Sequence, residues 1–205
     1  MICLDLQNLT EAALEGAFLI SSPSAISALN KSAKISKQIQ KYQAIAIFFL
    51  MSQYNETGNT IMEIGTRLGY SASIIAQAAY KAKVITYESV LERANRAELT
   101  LRQFSNIRVK HNFSWNVLLD YKSPKLAAIF VDGNHKYAGK DIAWFNHLQD
   151  DGMILFHDYT RKGSIYVVRA VETMSEILNR KPDIIIVDIN GVGMSGFYRR
   201  INEYV

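Results

Sequence analysis

The sequence predicts an α/β fold in which helices cover both faces of a mostly parallel sheet. From residue 60 onward, short apolar runs alternate with stretches of helical spacing, which is typical of a doubly wound sheet with right-handed crossovers. Runs such as AAIFVD (127–132) and MILFHD (153–158) are continuously apolar before their last residues, as expected for strands buried on both faces. The end of the chain differs, because two apolar runs flank Asn190-Gly191, a two-residue hairpin signal. We therefore expect the sheet to end in an antiparallel hairpin.

Hydrophobic spacing defines the individual elements. The stretch 89–104 carries Leu91, Ala94, Ala97, Leu101 and Phe104 on one stripe, which is helical spacing. By the same criterion, residues 10–53 are predicted to form helices that break around SSPS (21–24). After residue 60, the predicted helices span about 72–80, 89–104, 114–120, 137–148 and 164–179. The predicted strands that precede the hairpin turn span 60–64, 83–88, 106–110, 126–132, 152–157 and 184–189.

Composition indicates one globular domain in a reducing compartment. The chain has 205 residues, of which 49% are hydrophobic and 20% charged, and these are ordinary globular values. The single cysteine, Cys3, excludes an internal disulfide framework and a cysteine-rich zinc site. The first residues lack a basic segment, and the longest apolar run (44–51) is too short to span a bilayer. We expect a cytoplasmic protein without a membrane partner.

The net charge of +4 leaves one question about partners open. Basic residues are dispersed among acids, except in NKSAKISKQIQK (30–41), where they alternate with apolar positions. A solvated helix face explains this alternation, and a nucleic-acid surface is the alternative.

Acids and histidines follow several predicted strands at the same end. Glu63 and Glu88 close the first two strands, Asp132 closes the fourth, and His157-Asp158 closes the fifth. Ligands of open α/β sheets bind beyond the carboxyl ends of the strands. Side chains that only solubilised the surface would fall at both ends equally, so this edge is the candidate site.

The turn GTRLGYS (65–71) is the first candidate ligand contact. Gly65 and Gly69 let a ligand approach the backbone without Cβ contacts, and Ser71 is expected to cap the following helix, whose amino end favours an anion. Glu88 follows Gly69 by 19 positions (88 − 69), where an acid can bind ribose hydroxyls. The spacing is not that of a dinucleotide fingerprint, and a compact ligand such as S-adenosylmethionine fits better. A tight turn without a ligand is the alternative.

Four segments carry a resemblance to a known family. EIGTRLGYSA (63–72), ITYES (85–89), FVDGNHKY (130–137) and GMILFHDY (152–159) resemble successive motifs of class I S-adenosylmethionine-dependent methyltransferases. The similar branch includes the catechol O-methyltransferase-like and macrocin O-methyltransferase-like enzymes. The resemblance implies a Rossmann-like, seven-stranded sheet, an N-terminal helical cap over residues 1–56, and a methyltransferase domain over residues 57–205.

The resemblance also implies roles for particular residues. The methionine end of S-adenosylmethionine would lie near Glu63 and the glycine turn, the ribose near Glu88, and adenine near Ser114. Phe113 stands where many related enzymes have an acid, so adenine would be held more by apolar contact. The full cofactor-binding set is Glu63, Gly65, Thr66, Gly69, Tyr70, Ser71, Glu88, Ser89, Phe113, Ser114 and Asp132.

The reacting centre is predicted around Asp132. Asp132, His157 and Asp158 are the candidate metal ligands, because carboxylates suit Mg²⁺ and a bound cation would lower the pKa of an acceptor hydroxyl. Catechol-type enzymes have an asparagine where this chain has Tyr159, and macrocin-type enzymes have an acid where it has His157. Metal assistance therefore stays open. His135 is the candidate base, since an unperturbed imidazole is mostly neutral at pH 7.

We interpret the chain as an O-methyltransferase that acts on a hydroxyl of a small molecule, of phenol or sugar type, with catalytic residues His135 and Asp132. An RNA methyltransferase is one alternative, supported only by the basic stretch. A nicotinamide-dependent oxidoreductase would use the same glycine turn and Glu88, and a cofactor-binding protein without turnover would explain the incomplete metal triad. A monomer and a homodimer are both left open.

Overall fold

The structure is a computed structural model that describes residues 2–3, 23–35, 39–122, 124–160, 163–187 and 191–205. Within these ranges, eight strands form one sheet in the order β1-β7-β8-β6-β5-β2-β3-β4. The strands are β1 (Ile2–Cys3), β2 (Thr60–Ile64), β3 (Lys83–Glu88), β4 (Ile107–His111), β5 (Leu126–Val131), β6 (Leu148–His157), β7 (Ile184–Val187) and β8 (Gly193–Tyr198).

The predicted sheet is confirmed. Strands β2 to β6 pair in parallel, and β8 is antiparallel to both β6 and β7. The two-residue β1 adds an unpredicted parallel edge strand beside β7. The predicted hairpin turn lies partly outside the described residues, which exclude Asn190, but Gly191 has the positive φ of 74° that such a turn favours.

Seven α-helices lie in the described ranges: α1 (Pro23–Ser32), α2 (Lys41–Ser52), α3 (Tyr70–Ala78), α4 (Leu91–Leu101), α5 (Ser114–Leu119), α6 (Ala138–Asp141) and α7 (Ile165–Ile177). Of the predicted helices over 10–53, residues 10–22 and 36–38 lie outside the described part. An unpredicted break separates α1 from α2, because Gln40 and Gln43 form a capping box that starts a new helix at Lys41.

Two predicted boundaries were wrong. The helix predicted over 137–148 is one α-helical turn between two 3₁₀ helices, His135–Tyr137 and Ile142–His147. Strand β6 begins at Leu148 rather than near residue 152, although residues 149–151 are polar. Leu148 pairs with Leu126 before a register shift, so strand pairing extends β6 where apolar patterning gave no signal.

Alternate residues of the central strands pack on opposite faces of the sheet. In β2, Ile61 joins the apolar cluster formed with α1 to α3, and Met62 joins the cluster that includes residues of α7. Every residue of β5 is buried, as a strand covered on both faces requires. Because both faces of the sheet are packed, the carboxyl ends of the central strands are held in fixed positions relative to one another. None of the helices in the described ranges has the length and apolar character needed to cross a bilayer.

The order of the strands reverses between β2 and β5. Strands β3 and β4 extend the sheet from β2 in one direction, and β5 and β6 extend it in the other. The backbone N–H of Asp132, just after β5, donates to the carbonyl of Ile64 at 2.8 Å, so the two strands end side by side. Ligand sites of doubly wound sheets lie at such a reversal.

Candidate active site

A cavity of about 510 Å³ opens at the carboxyl edge of the sheet, where the strand order reverses. That volume lies in the range of small-molecule sites. Ten of the predicted site residues line it: Gly65, Thr66, Tyr70, Ser71, Glu88, Ser89, Asp132, His135, His157 and Asp158. Phe113 and Ser114 line a smaller adjoining cavity that shares Gly65 and Ser89 with the first. Glu63 and Gly69 line neither of these cavities.

The two glycines are required by the backbone itself. Gly65 has φ of +100°, and a Cβ there would lie 2.3 Å from the carbonyl oxygen of Asp132. Gly69 has φ of +91°, and a Cβ there would lie 2.8 Å from the Leu101 side chain. Gly69 is the N-cap of α3, so the expectation that Ser71 caps this helix was wrong. Of these two glycines, Gly65 lines the cavity and Gly69 does not.

The carboxylate of Glu88 is held by the turn opposite it. Its Oε2 accepts the backbone N–H of Arg67 at 2.8 Å, and its Oε1 accepts the backbone N–H of Val90 at 3.0 Å. The residue is only 4% exposed, yet it lines the cavity. Each carboxylate oxygen has a second lone pair. The carboxylate can therefore still accept hydrogen bonds from a ligand's hydroxyl groups.

Glu63 supports the floor of the cavity from below. Thr86 donates to its Oε2 at 2.5 Å, and the Thr86 and Thr66 hydroxyls are hydrogen bonded at 2.5 Å. Complete burial raises the pKa of Glu63 to about 7, against hydrogen bonds from Ser71 and Thr86 that lower it. This carboxyl group therefore acts on the site through Thr66, which does line the cavity.

Aromatic rings and a buried acid form the adjoining cavity. Phe113 stacks on Trp115 with ring centroids 4.7 Å apart. Ser114, at the start of α5, donates to Asp141 at 2.5 Å. Burial raises the pKa of Asp141 to about 6, against the Ser114 hydrogen bond. Asp141 was missed from the sequence, because it lies inside a helical pattern and marks no strand end.

The predicted reacting centre does come together, at the ends of β5 and β6. Nε2 of His135 lies 3.2 Å from Oδ2 of Asp158 and 3.8 Å from Oδ1 of Asp132. Nδ1 of His157 lies 3.2 Å from the same Asp132 oxygen and 3.4 Å from the same Asp158 oxygen. We call these four residues the Asp–His ring.

Opposite charges in the Asp–His ring outweigh burial. Burial raises the pKa of Asp132, but His157 and His135 bring it below its ordinary value. The carboxylates of Asp132 and Asp158 raise the pKa of His135 against the effect of burial, which contradicts the expectation of an unperturbed imidazole there. For His157, burial lowers the pKa, yet Asp132 and Asp158 together raise it to about 10.

A glutamine of helix α2 completes the site, although no sequence pattern marks it. Nε2 of His157 lies 3.1 Å from Oε1 of Gln43. The same amide oxygen accepts the backbone N–H of Gln40 at 3.2 Å, which fixes the end of the Gln43 amide that faces His157. Ile39, just before this helix, lines the cavity. Part of the region predicted as a cap therefore contacts the site.

A family model matches the central part of the chain. The model of the family described as a methyltransferase domain, Methyltransf_24, matches residues 62–159. The sequences of curated proteins gave no match to this chain. The matched span runs from the first motif strand to the residue after Asp158, so it contains the glycine turn, Glu88 and the Asp–His ring.

Three solved structures have a similar fold. An O-methyltransferase from Bacillus cereus in complex with S-adenosylhomocysteine (SAH) has a TM-score of 0.68 and 16% identity, with 92% of this chain and 96% of that chain covered. TomG from Streptomyces achromogenes is an O-methyltransferase of tomaymycin synthesis, solved in complex with S-adenosylmethionine. It has a TM-score of 0.64 and 16% identity, with 86% of this chain and 90% of that chain covered. The SAH-bound methyltransferase PaMTH1 from Podospora anserina has a TM-score of 0.64 and 16% identity, with 90% of this chain and 96% of that chain covered.

The solved structures show that this chain has a similar fold, and the family model identifies residues 62–159 as similar to a methyltransferase domain. Together they confirm the resemblance that the four sequence motifs indicated. Residues 62–159 of this chain therefore match a methyltransferase domain, and the chain has the fold of the solved methyltransferases described above.

Proposed function

We propose that this protein transfers the methyl group of S-adenosylmethionine to a hydroxyl group of a small molecule, of phenol or sugar type. One observation carries the proposal. The same cavity is lined by Gly65 and Glu88, which suit an adenosyl ligand, and by Asp132 and His135, which suit a hydroxyl acceptor. Donor and acceptor would thus be held side by side, as direct transfer between two bound molecules requires.

The cofactor would lie along the ends of β2, β3 and β5. Glu88 would accept hydrogen bonds from the ribose hydroxyls, and Phe113 and Ser114 would enclose adenine in the adjoining cavity. Thr66, Tyr70 and Ser71 would surround the methionine end, near the amino end of α3, which favours a carboxylate. S-adenosylmethionine supplies a methyl group on a positively charged sulfur.

His135 is the group that takes the proton of the acceptor. As the acceptor oxygen bonds to the methyl carbon, the electron pair of the broken C–S bond stays on sulfur and the hydroxyl proton passes to His135. The His135 side chain is 31% exposed, against 7% for His157, so it is the more accessible imidazole in the cavity. The neighbouring carboxylates of Asp132 and Asp158 raise its pKa and thereby stabilise the imidazolium that the transfer forms.

The residues around Asp132 do not fit Mg²⁺. Mg²⁺ prefers oxygen ligands, and Asp132 and Asp158 supply them. The remaining ring members are imidazoles, however, and Tyr159 packs with the apolar cluster of the α7 face. We therefore assign no step of the reaction to Mg²⁺.

Two measurements test the proposal. Thermal unfolding with SAH or NAD separates a methyltransferase from a nicotinamide-dependent oxidoreductase, and we expect only SAH to raise the midpoint. The protein is then incubated with S-adenosylmethionine and a panel of phenols and sugars, and SAH formation is followed by mass spectrometry. Stabilisation by NAD alone would overturn the proposal. SAH binding without turnover on any acceptor would favour a binding protein instead.

An RNA acceptor is tested separately. Binding to RNA that weakens steeply with salt, together with methylation of that RNA, would replace the small-molecule proposal.

A further inference from the structure

We propose that Arg67 and Arg93 bind an anionic group, a carboxylate or a phosphate, of the methyl acceptor. The inference rests on the proposed function, because the acceptor would lie in the cavity assigned to S-adenosylmethionine. It goes beyond that function by giving the acceptor a negative charge and by naming the two side chains that recognise it.

Both arginines line the cavity of about 510 Å³ on the side of Glu88. Arg67 lies in the glycine turn after β2, and Arg93 lies in the first turn of α4, which follows β3. The backbone N–H groups of Arg67 and Val90 donate to the two oxygens of the Glu88 carboxylate. The two arginines therefore lie on either side of the carboxylate assigned to the ribose, at the exposed rim of the cavity.

No acid in the described part of the chain neutralises these two side chains. Within the described ranges, neither guanidinium has an ion pair or a hydrogen bond. The carboxylates that line the cavity are already engaged, since Glu88 accepts backbone N–H groups and both Asp132 and Asp158 face imidazoles. A guanidinium presents five N–H donors in a planar fork that matches a carboxylate or a phosphate. An anionic ligand group would therefore supply the missing partner.

The backbone of Arg67 is a second, independent indication. Its φ of 50° lies in the left-handed region, which residues other than glycine, asparagine and aspartate rarely adopt. Every other non-glycine residue with positive φ in the described ranges is an asparagine or an aspartate. Glycine would adopt this conformation with less strain, and strained residues concentrate where they bind ligands. The arginine at this position is therefore expected to contribute through its side chain.

The position proposed for the cofactor leaves the arginines to the second ligand. The methionine carboxylate would lie near Thr66 and Ser71 at the amino end of α3, whereas Arg93 lies on α4, beyond Glu88. Strand β2 separates β3 from β5, so the ends of those two strands are about 10 Å apart. An acceptor whose hydroxyl lies beside Asp132 would extend across the cavity toward this rim, with its hydroxyl and its anionic group at opposite ends.

Thermal unfolding with two simple anions tests the site without turnover. The full-length protein, with and without saturating SAH, is heated in inorganic phosphate, benzoate or chloride at one pH and equal ionic strength, so that general screening is constant. We expect phosphate or benzoate to raise the midpoint above its value in chloride by binding to the folded state. The anion with the larger arginine-dependent effect identifies the group. Equal midpoints in all three salts would overturn the proposal.

Variants separate binding by the arginines from the general stabilisation that phosphate gives folded proteins. Arg67→Gln and Arg93→Gln each remove one guanidinium, and the backbone N–H of residue 67 stays available to Glu88. Each should raise the Kd of the anion by about 5–20-fold, between the loss of an exposed ion pair and that of a bidentate one. Arg96→Gln is the matched control, because Arg96 pairs with Glu92 on the same helix and lines neither cavity. An anion effect retained in both cavity variants, or lost in Arg96→Gln, would overturn the proposal.

Matched acceptors extend the test to turnover. A hydroxyphenylacetate is compared with its methyl ester, and a hexose phosphate with the free hexose, so that each pair differs in the charge of one group. Initial rates of SAH formation should give the lower KM for the anionic member, and Arg93→Gln should remove that preference without changing kcat. Equal KM values within the pairs in the wild-type protein would overturn the proposal.

SAH calorimetry separates this proposal from the proposed function. SAH binding without an arginine-dependent anion effect would overturn only the arginine site. An arginine-dependent anion effect in protein that does not bind SAH would support anion binding by the arginines and overturn the methyltransferase proposal. SAH affinity that falls in Arg93→Gln would assign that arginine to the cofactor and overturn its role toward the acceptor.

Discussion

The backbone N–H of Arg67 donates a hydrogen bond of 2.8 Å to the carboxylate of Glu88, and this contact joins the glycine turn to the end of strand β3. The contact fixes the carboxylate at the wall of the cavity before any ligand arrives. A preorganised acceptor loses little conformational freedom when it binds a ribose.

Glu88→Ala should therefore weaken SAH binding by about 1.5–3 kcal/mol, since hydrogen bonds to a charged acceptor are lost. That loss corresponds to an increase in Kd of about 10–150-fold, measured by calorimetry. Glu92→Ala is the control, because Glu92 is exposed on α4, where it forms a long ion pair with Arg96 at 3.9 Å. Unchanged affinity in Glu88→Ala would mean that the ribose binds elsewhere.

Gly65→Ala should destabilise the fold as well as the site. The new Cβ would lie 2.3 Å from the Asp132 carbonyl oxygen, on a residue with φ of +100°. Left-handed strain and overpacking together should lower the free energy of unfolding by about 2–5 kcal/mol, measured by urea denaturation. Gly139→Ala, where a Cβ meets nothing within 4 Å, should be neutral or slightly stabilising. Equal stability of the two variants would contradict the close approach of Gly65 to Asp132.

Asp141→Asn should flatten the decline of stability with pH. Burial raises the pKa of Asp141 to about 6 from 3.8, so the folded state holds this proton more tightly than the unfolded state. The extra stability is complete below about pH 4 and is lost as the pH rises through about 6. The upper limit of this extra stability is about 3 kcal/mol. At pH 8 the free energy of unfolding of the variant should exceed that of wild type by about 1–2 kcal/mol. The increase is smaller than the limit because asparagine also weakens the hydrogen bond with Ser114.

Urea denaturation at pH 4, 6 and 8 measures this effect, with Asp120→Asn as the control, since Asp120 is exposed at the end of α5. A parallel pH dependence in wild type and Asp141→Asn would show that the Asp141 carboxyl is not desolvated.

His135→Ala should lower turnover by about 10²–10⁴-fold, the usual contribution of a positioned base, and leave SAH affinity unchanged. Lys136→Ala provides the control, because Lys136 is the exposed neighbour in the same 3₁₀ turn. Once an acceptor is found, initial rates of SAH formation check the effect. Full activity of His135→Ala would assign the proton to another group.

The features that the sequence predicts well are those that depend on the residue pattern within a single element. Strand β5 is an unbroken apolar run, and helix α4 has a clear stripe, so both were found within a few residues. Strand-end acids and histidines were recognised because parallel strands bring their carboxyl ends to one edge. The four residues of the Asp–His ring lie between positions 132 and 158, and the sequence predicts that they meet at one site.

The features missed depend on tertiary contacts. Gln43 reaches His157 across 114 positions of sequence, and nothing in helix α2 marks it apart from its neighbours. Asp141 contacts Ser114 only because a short α-helical turn forms between two 3₁₀ helices. The glycine pattern predicts that Gly69 contacts the ligand, whereas in the structure its φ of +91° and the close approach of Leu101 account for the glycine. A glycine pattern alone does not distinguish these two uses.

Calorimetric titration of the purified protein with SAH tests the central claim most directly. We expect saturable binding at one site per chain, with an affinity that falls in Glu88→Ala and not in Glu92→Ala. Absence of heat with both SAH and S-adenosylmethionine, from folded protein, would contradict the assignment of this cavity to an adenosyl ligand.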